Sequence, residues 1–204
     1  MTRPWHSQAR PDQLPPADGD WSVYLVEVGR GWGATRTGAE WIAEQAATHP
    51  KTEWLVVAPT WRDVRAVCFE GNSGVLKALL PGEFESYSSR NLRIRLTNGS
   101  LIRGAAPGDF RRGLRVADLA GAWLDQASSY LTCDGWNRIR WSVPGRIVVT
   151  TSPANEKQEA ARLALETLAD LDDTIHVTGQ TWANEANLPP ACVAELRRHY
   201  GASA

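Results

Sequence analysis

The sequence predicts an α/β protein, with a mostly parallel sheet, helices on both of its faces and an inserted β-hairpin. Strand-like and helix-like segments alternate from Trp21 onward, the order that builds a parallel sheet covered on both sides. The strand candidates "VYLVEV", "EWLVVAP" and "RIVVTT" are near-continuous apolar runs, as strands buried on two faces require. Near the middle, "NLRIRL" and "SLIRGA" flank Thr97-Asn98-Gly99, and Asn-Gly supplies the positive φ of a tight hairpin turn. A chain of 204 residues can bury one core of this kind.

Each element follows in order. Residues 1–20 are polar and proline-rich ("RPDQLPPADGD") and read as an extended arm; residues 21–204 read as one domain. Val23–Val28 is a β-branched strand. Thr35–Thr48 places Ala39, Ile42, Ala43, Ala46 and Ala47 on one helical face and stops near Pro50. Glu53–Pro59 is a second strand, and Thr60–Glu70 a helix that Gly71 ends. After the hairpin, Leu119–Asp125 is a buried strand ending in an acid, followed by a helix over Gln126–Ile139. Arg146–Thr151 is a strand, Asn155–Leu171 a helix and Thr174–Gly179 a last strand. Pro189–Tyr200 closes the chain as a helix, with Pro190 suited to its first turn.

Composition excludes several classes. A formal net charge of −1 and a pI near 6.4 give no global basic field demanding nucleic acid. Cys68, Cys133 and Cys192 are scattered and odd in number, which argues against a disulfide framework or a zinc site and fits a reducing compartment. His6, His49, His176 and His199 form no ligand-spaced cluster. No apolar run reaches membrane-spanning length, so the expectation is a soluble intracellular protein.

Three strand ends carry chemistry-bearing residues. Gly29-Arg30-Gly31-Trp32-Gly33 follows the first strand and opens a helix, where backbone amides form an anion cradle; a plain glycine-rich turn has the same spelling. Asp125 ends an apolar strand, where a nucleotide hydrolase holds Mg²⁺ through water; a helix N-cap accounts for it equally well. Thr150-Thr151-Ser152 ends another strand, where hydroxyls can sense a γ-phosphate or cap a turn. Open α/β sheets bind ligands at the C-terminal ends of their strands, so all three are expected around one crevice.

Taken in order, these stretches resemble the ATPase domain of the large terminase subunit of tailed bacteriophages, a P-loop NTPase-like fold. "GRGWGATRTGAEW" looks like that family's phosphate loop, usually GGRGxGKTRTGAEW, and "RPDQLPPADGDW" like its adenine-side segment. "VAPTWRDVRAVCFEG" is similar to its second strand–helix unit, "LAGAWLDQ" to its magnesium strand, and "VVTTSP" to its coupling motif. "NEANLPPACVAELRRHYG" resembles the segment that closes the domain. The resemblance implies ATP-powered packaging of viral DNA, with ATP and Mg²⁺ as cofactors. It implies double-stranded DNA, a portal protein, a small terminase subunit and a ring of like subunits as partners, in the cytoplasm of a bacterial host and with no membrane. It places nucleotide on Gln13, Gly29, Arg30, Gly31, Trp32, Gly33, Ala34, Thr35 and Arg36, with Gln13 near the adenine. Thr35 and Asp125 would hold Mg²⁺. The catalytic set would be Arg30, Asp125, Gln126, Thr150 and Thr151, the two threonines coupling hydrolysis to movement.

Three positions depart from the family pattern. Ala34 replaces the phosphate-binding lysine, Gln126 replaces the glutamate that orients the attacking water, and Val28 replaces the loop's first glycine. Losing a charge-assisted contact of the lysine type weakens binding about tenfold to a hundredfold. Losing a general base costs ~10²–10⁴ in rate, because glutamine cannot accept the proton. Arg30 or Arg36 could supply the missing charge, and Glu27 is an unusual carboxylate on a buried strand. The expectation is therefore a packaging ATPase domain impaired in hydrolysis. The alternatives are a non-catalytic nucleotide- or partner-binding module and a different P-loop ATPase using an unusual charge. The family's nuclease domain is expected to be absent, since Asp170, Asp172 and Asp173 read as the solvated end of a helix. Arg111, Arg112 and Arg115 could bind DNA weakly or simply face solvent.

Overall fold

The computed structural model describes residues 3–111 and 119–200. Its centre is an eight-stranded sheet: β1 (Val23–Val28), β2 (Glu53–Val57), β3 (Phe84–Ser88), β4 (Arg93–Leu96), β5 (Leu101–Ala105), β6 (Leu119–Asp125), β7 (Arg146–Thr151) and β8 (Thr174–Gly179). The spatial order is β3-β4-β5-β2-β6-β7-β1-β8. Six strands, β5 through β8 in that order, run parallel, while β3, β4 and β5 form an antiparallel meander at one edge. The Asn-Gly hairpin joins β4 to β5 as expected, with Gly99 at φ 85°. It is not set apart from the main sheet, because β5 pairs in parallel with β2.

The helices are α1 (Pro4–Gln8), α2 (Ala34–Thr48), α3 (Trp61–Asp63), α4 (Val75–Ala78), α5 (Pro107–Arg111), α6 (Cys133–Ser142), α7 (Glu159–Ala169) and α8 (Pro190–Tyr200). Their apolar faces divide the core into two layers. On one face of the sheet, Ala39, Ile42, Ala43 and Ala46 of α2 join Val64, Cys68, Phe69, Trp54, Trp123 and Val148. On the other, Trp136 and Ile139 of α6 and Leu165 and Leu168 of α7 cover Leu25, Leu55, Leu124 and Val149. Successive strand residues point to opposite faces, so each strand feeds both layers. This is why the sequence shows continuous apolar runs.

Four expectations about elements change. The N-terminal arm is not extended: Pro4 and Pro11 each open a short turn, α1 and a 3₁₀ helix (Pro11–Gln13), because proline's fixed φ also suits a first helical turn. The helix after Thr60 passes from α3 into a π-helix (Val64–Phe69). The segment after Asp125 is broken: Gln126 adopts φ 52°, a 3₁₀ turn (Ala127–Ser129) follows, and Thr132 caps a new helix by accepting from the Gly135 amide at 3.0 Å. The helix expected from Asn155 starts only at Glu159, since Asn155 forms a turn, accepting from the Lys157 amide through its side chain and from the Gln158 amide through its carbonyl. β3, α4 and a 3₁₀ segment over Thr181–Asn187 carried no recognised sequence signal, β3 because its exposed "FESYS" lacks apolar alternation.

Candidate functional site

β1 delivers the glycine loop to the C-terminal edge of the sheet. Gly31 (φ 79°) and Gly33 (φ 107°) occupy the left-handed region, where residues with a Cβ are strained, and Gly33 caps α2. A Cβ at Gly33 would also lie 2.7 Å from the Gln13 amide nitrogen. The first turn of α2 then presents Thr35.

Because β6 and β7 pair in parallel with Asp125 opposite Thr150, the two residues share one face and one edge. The Thr150 hydroxyl donates to Asp125 Oδ1 at 2.8 Å, and the Thr35 hydroxyl lies 3.3 Å from the same oxygen. Trp123 Nε1 donates to Thr150 Oγ1 at 2.7 Å, fixing that hydroxyl's remaining direction. Cys68 of the π-helix donates to Asp125 Oδ2 at 3.7 Å. Asp125 is almost fully buried, and burial pushes its carboxyl up to about 6, against the pull of donors from Thr150, Cys68 and Thr35. The same burial and the facing carboxylate hold the Cys68 thiol well above its usual range. Sequence reasoning missed Cys68, and only the fold brings it to the acid. The hydroxyl and carboxylate oxygens of Thr35 and Asp125 are the hard donors that Mg²⁺ takes, so this pair fits the ion.

The other expected residues separate. Thr151 faces the opposite layer, where its hydroxyl accepts from the Ser128 amide at 2.9 Å, so only Thr150 meets Asp125. Gln126 is solvent-exposed, its backbone turned sharply out of β6. Arg36 is tied to Glu40 and lies over the Trp5 ring, and Glu27 pairs with His176 at 3.1 Å. Arg30 is exposed and has no hydrogen-bond or ion-pair partner among the described residues. Gln13 is buried, its amide nitrogen 3.3 Å from the Thr37 hydroxyl and its carbonyl oxygen accepting from the Arg10 amide. Trp32 is fully buried beneath the Arg10 guanidinium. Ala34 begins α2 and offers the loop no charge. Val28 is a buried residue of β1 aligned with Gly179, outside the left-handed region, so the position has no need of glycine. Arg112 and Arg115 lie outside the described residues, and Arg111 ends α5.

A glycine loop between the first strand and its helix, with a threonine on the neighbouring β7 and an acid on β6 beyond it, defines the fold class: a P-loop NTPase-like, mostly parallel α/β sheet. Within that class, the fold is similar to the ATPase domain of phage large terminases. The Thermus phage P74-26 large terminase ATPase domain matches with a TM-score of 0.69 at 15% identity, over 95% of this chain and 89% of that one. The large terminase of a thermophilic bacteriophage matches with a TM-score of 0.65 at 16% identity. That match covers 97% of this chain and 48% of the other, so the chain spans about half the length of that terminase. The same terminase in complex with ADP matches at 0.66, and in complex with ATP-γ-S at 0.61. No protein-family model and no curated protein matches the sequence.

Proposed function

We propose that this chain is a terminase-type nucleotide-binding domain of a DNA-packaging motor, impaired in hydrolysis. The observation that carries the reading is the convergence of Thr35 and Thr150 on Asp125 beside the glycine loop. The similar fold of a large terminase solved with ADP and with ATP-γ-S supports nucleotide as the ligand. The amides around Gly31 and Gly33 would take phosphate oxygens, and Thr35 with Asp125 would hold Mg²⁺, which neutralises phosphate charge when bound. Thr150 orients Asp125, and Arg30 is the loop's exposed cation. Hydrolysis is impaired in this reading because Ala34 supplies no charge and Gln126 no base. The pairings of Arg36 with Glu40 and of Glu27 with His176 weigh against those residues as replacements. A non-catalytic binding module is the second reading, favoured by the same pairings.

Double-stranded DNA, a portal protein, a small terminase subunit and a ring of like subunits are the partners this reading proposes. Arg93 and Arg103 stand directly opposite each other on β4 and β5 and line a cleft with Trp61 and Asn91. Exposed Arg95 lies two residues further along β4. Arg103 pairs with Glu53, so Arg93 and Arg95 are the exposed cations of this strand that a phosphate backbone would contact.

The test is an ADP titration with and without Mg²⁺ beside a phosphate-release assay. Ala34→Lys should tighten Mg²⁺-nucleotide binding about tenfold to a hundredfold. Gln126→Glu should act chiefly on turnover, and the pair should exceed either single change. A folded Ala34→Lys protein that binds no nucleotide would sink the reading. Brisk hydrolysis by the unmodified chain would overturn the impairment alone.

A further inference from the structure

Two segments far apart in sequence meet on the glycine loop, and each holds one of its carbonyls. Asn184, in the 3₁₀ segment after β8, donates from Nδ2 to the Gly31 carbonyl at 2.7 Å. Arg10, in the N-terminal segment, donates from Nη2 to the Trp32 carbonyl at 2.7 Å, its guanidinium 4.4 Å from the Trp32 ring centroid. The two also bond to each other, Arg10 Nη1 to Asn184 Oδ1 at 3.2 Å. Asn187 adds a bond to the same Asn184 oxygen at 3.0 Å. The segment from β8 to α8 adds further contacts: the Gly29 amide donates to the Gly179 carbonyl, and a Cβ at Gly29 would run into Thr181 and one at Gly31 into Leu188.

A trans peptide is planar, so its N–H points opposite to its C=O. Fixing the Gly31 carbonyl therefore aims the Trp32 amide, which bonds the Gly29 carbonyl at 3.2 Å. Fixing the Trp32 carbonyl aims the Gly33 amide away from Arg10, and that amide has no partner among the described residues. We infer that Arg10 and Asn184 are positioning residues of this loop, a bonded pair that holds it from the carbonyl side, closing the Trp32 amide onto Gly29 and leaving the Gly33 amide to face an anion. The inference rests on the nucleotide-loop reading for its purpose, but its geometry can be tested without nucleotide. The arrangement also ties the loop to the segment leading into α8, so a change in one must be felt in the other.

The test takes Arg10→Ala, Asn184→Ala, the double variant and Arg10→Lys, each in the unmodified chain and beside Ala34→Lys. Amide exchange by NMR reads the loop without ligand. The bonded Gly29 and Trp32 amides should exchange faster in both alanine variants, while β1 and β7 amides keep their rates. ADP affinity beside Ala34→Lys should fall about tenfold in each single variant, the loss expected when one hydrogen bond to a charged or rigid group is removed. The double variant should lose little more, because the two residues act as one unit. Arg10→Lys should resemble Arg10→Ala, since an ammonium keeps the charge but not the two-pronged geometry. Full rescue by lysine would overturn positioning in favour of charge alone. Unchanged exchange at Gly29 and Trp32, or acceleration spread across the whole sheet, would overturn the inference outright. If no variant binds ADP but loop exchange rises as described, the nucleotide reading fails while the positioning stands.

Discussion

Burial and hydrogen bonding pull the Asp125 carboxyl in opposite directions, and burial wins, leaving it near 6 against 3.8 for a free aspartate. The folded chain therefore holds a proton that the unfolded chain has lost between these two values. Stability contributed by this group is greatest at low pH, falls as pH rises through the window, and is at its lowest above about 6. A shift of that size corresponds to about 3 kcal/mol. Asp125→Asn should thus stabilise the fold by about 1–3 kcal/mol at pH 7.5 and by little at pH 4, since the Thr35 and Thr150 hydroxyls can turn to accept from the amide. Urea midpoints of both proteins at the two pH values measure it, and a pH-independent difference would contradict the sign. Stability gained there would come at the expense of the proposed Mg²⁺ binding. Thr150 and Thr151 show the same sensitivity to direction: neighbours in sequence, they serve opposite layers.

At the scale of elements, the hairpin turn does a second task. Asn98 donates from Nδ2 to the Ala46 and Ala47 carbonyls at 2.8 and 2.9 Å, closing the C-terminal end of α2, and its Oδ1 accepts from the Ser100 amide. Asn98→Asp keeps the acceptor, loses both donors and sets a negative charge at the negative helix end. It should cost about 2 kcal/mol by chemical denaturation, and more than Asn98→Ala, which adds no charge. α2 also needs a glycine in its interior: a Cβ at Gly38 would lie 2.1 Å from the Trp123 indole nitrogen. Gly38→Ala should therefore destabilise, although alanine is the better helix former by about 1 kcal/mol. Because Trp123 bonds Thr150, the same change should also disturb Asp125, which the pH dependence of stability would register.

The whole molecule is closed by its N-terminal segment. Arg3 is buried and donates to the Ala78 carbonyl at 2.8 Å and to both Glu83 oxygens at 2.7 and 2.8 Å. Further along, Arg10 and Gln13 reach the glycine loop. One polar strand of chain thereby links α4, the start of β3 and the candidate site. Arg3→Met keeps the apolar stem and leaves Glu83 without its ion pair, so it should cost about 2 kcal/mol. Chemical denaturation of both proteins at pH 7 checks it. DNA binding through Arg93 and Arg95, as proposed, should weaken steeply with salt, and Arg93→Ala should reduce the salt slope by about one phosphate contact.

The sequence by itself determined every sheet strand but β3, the hairpin turn and the three strand ends that carry the candidate site. Those signals are local: apolar runs mark buried strands, Asn-Gly marks a turn, and glycines after a strand mark a loop. Tertiary structure alone decided which of the named residues meet. Strand order put Asp125 beside Thr150, and pleat parity sent Thr151 to the other face. A π-helix brought Cys68 to the acid, and two remote segments laid Arg10 and Asn184 on the loop. Side-chain direction and contacts between distant segments arise from packing against the finished sheet, and a short sequence window carries no record of that packing.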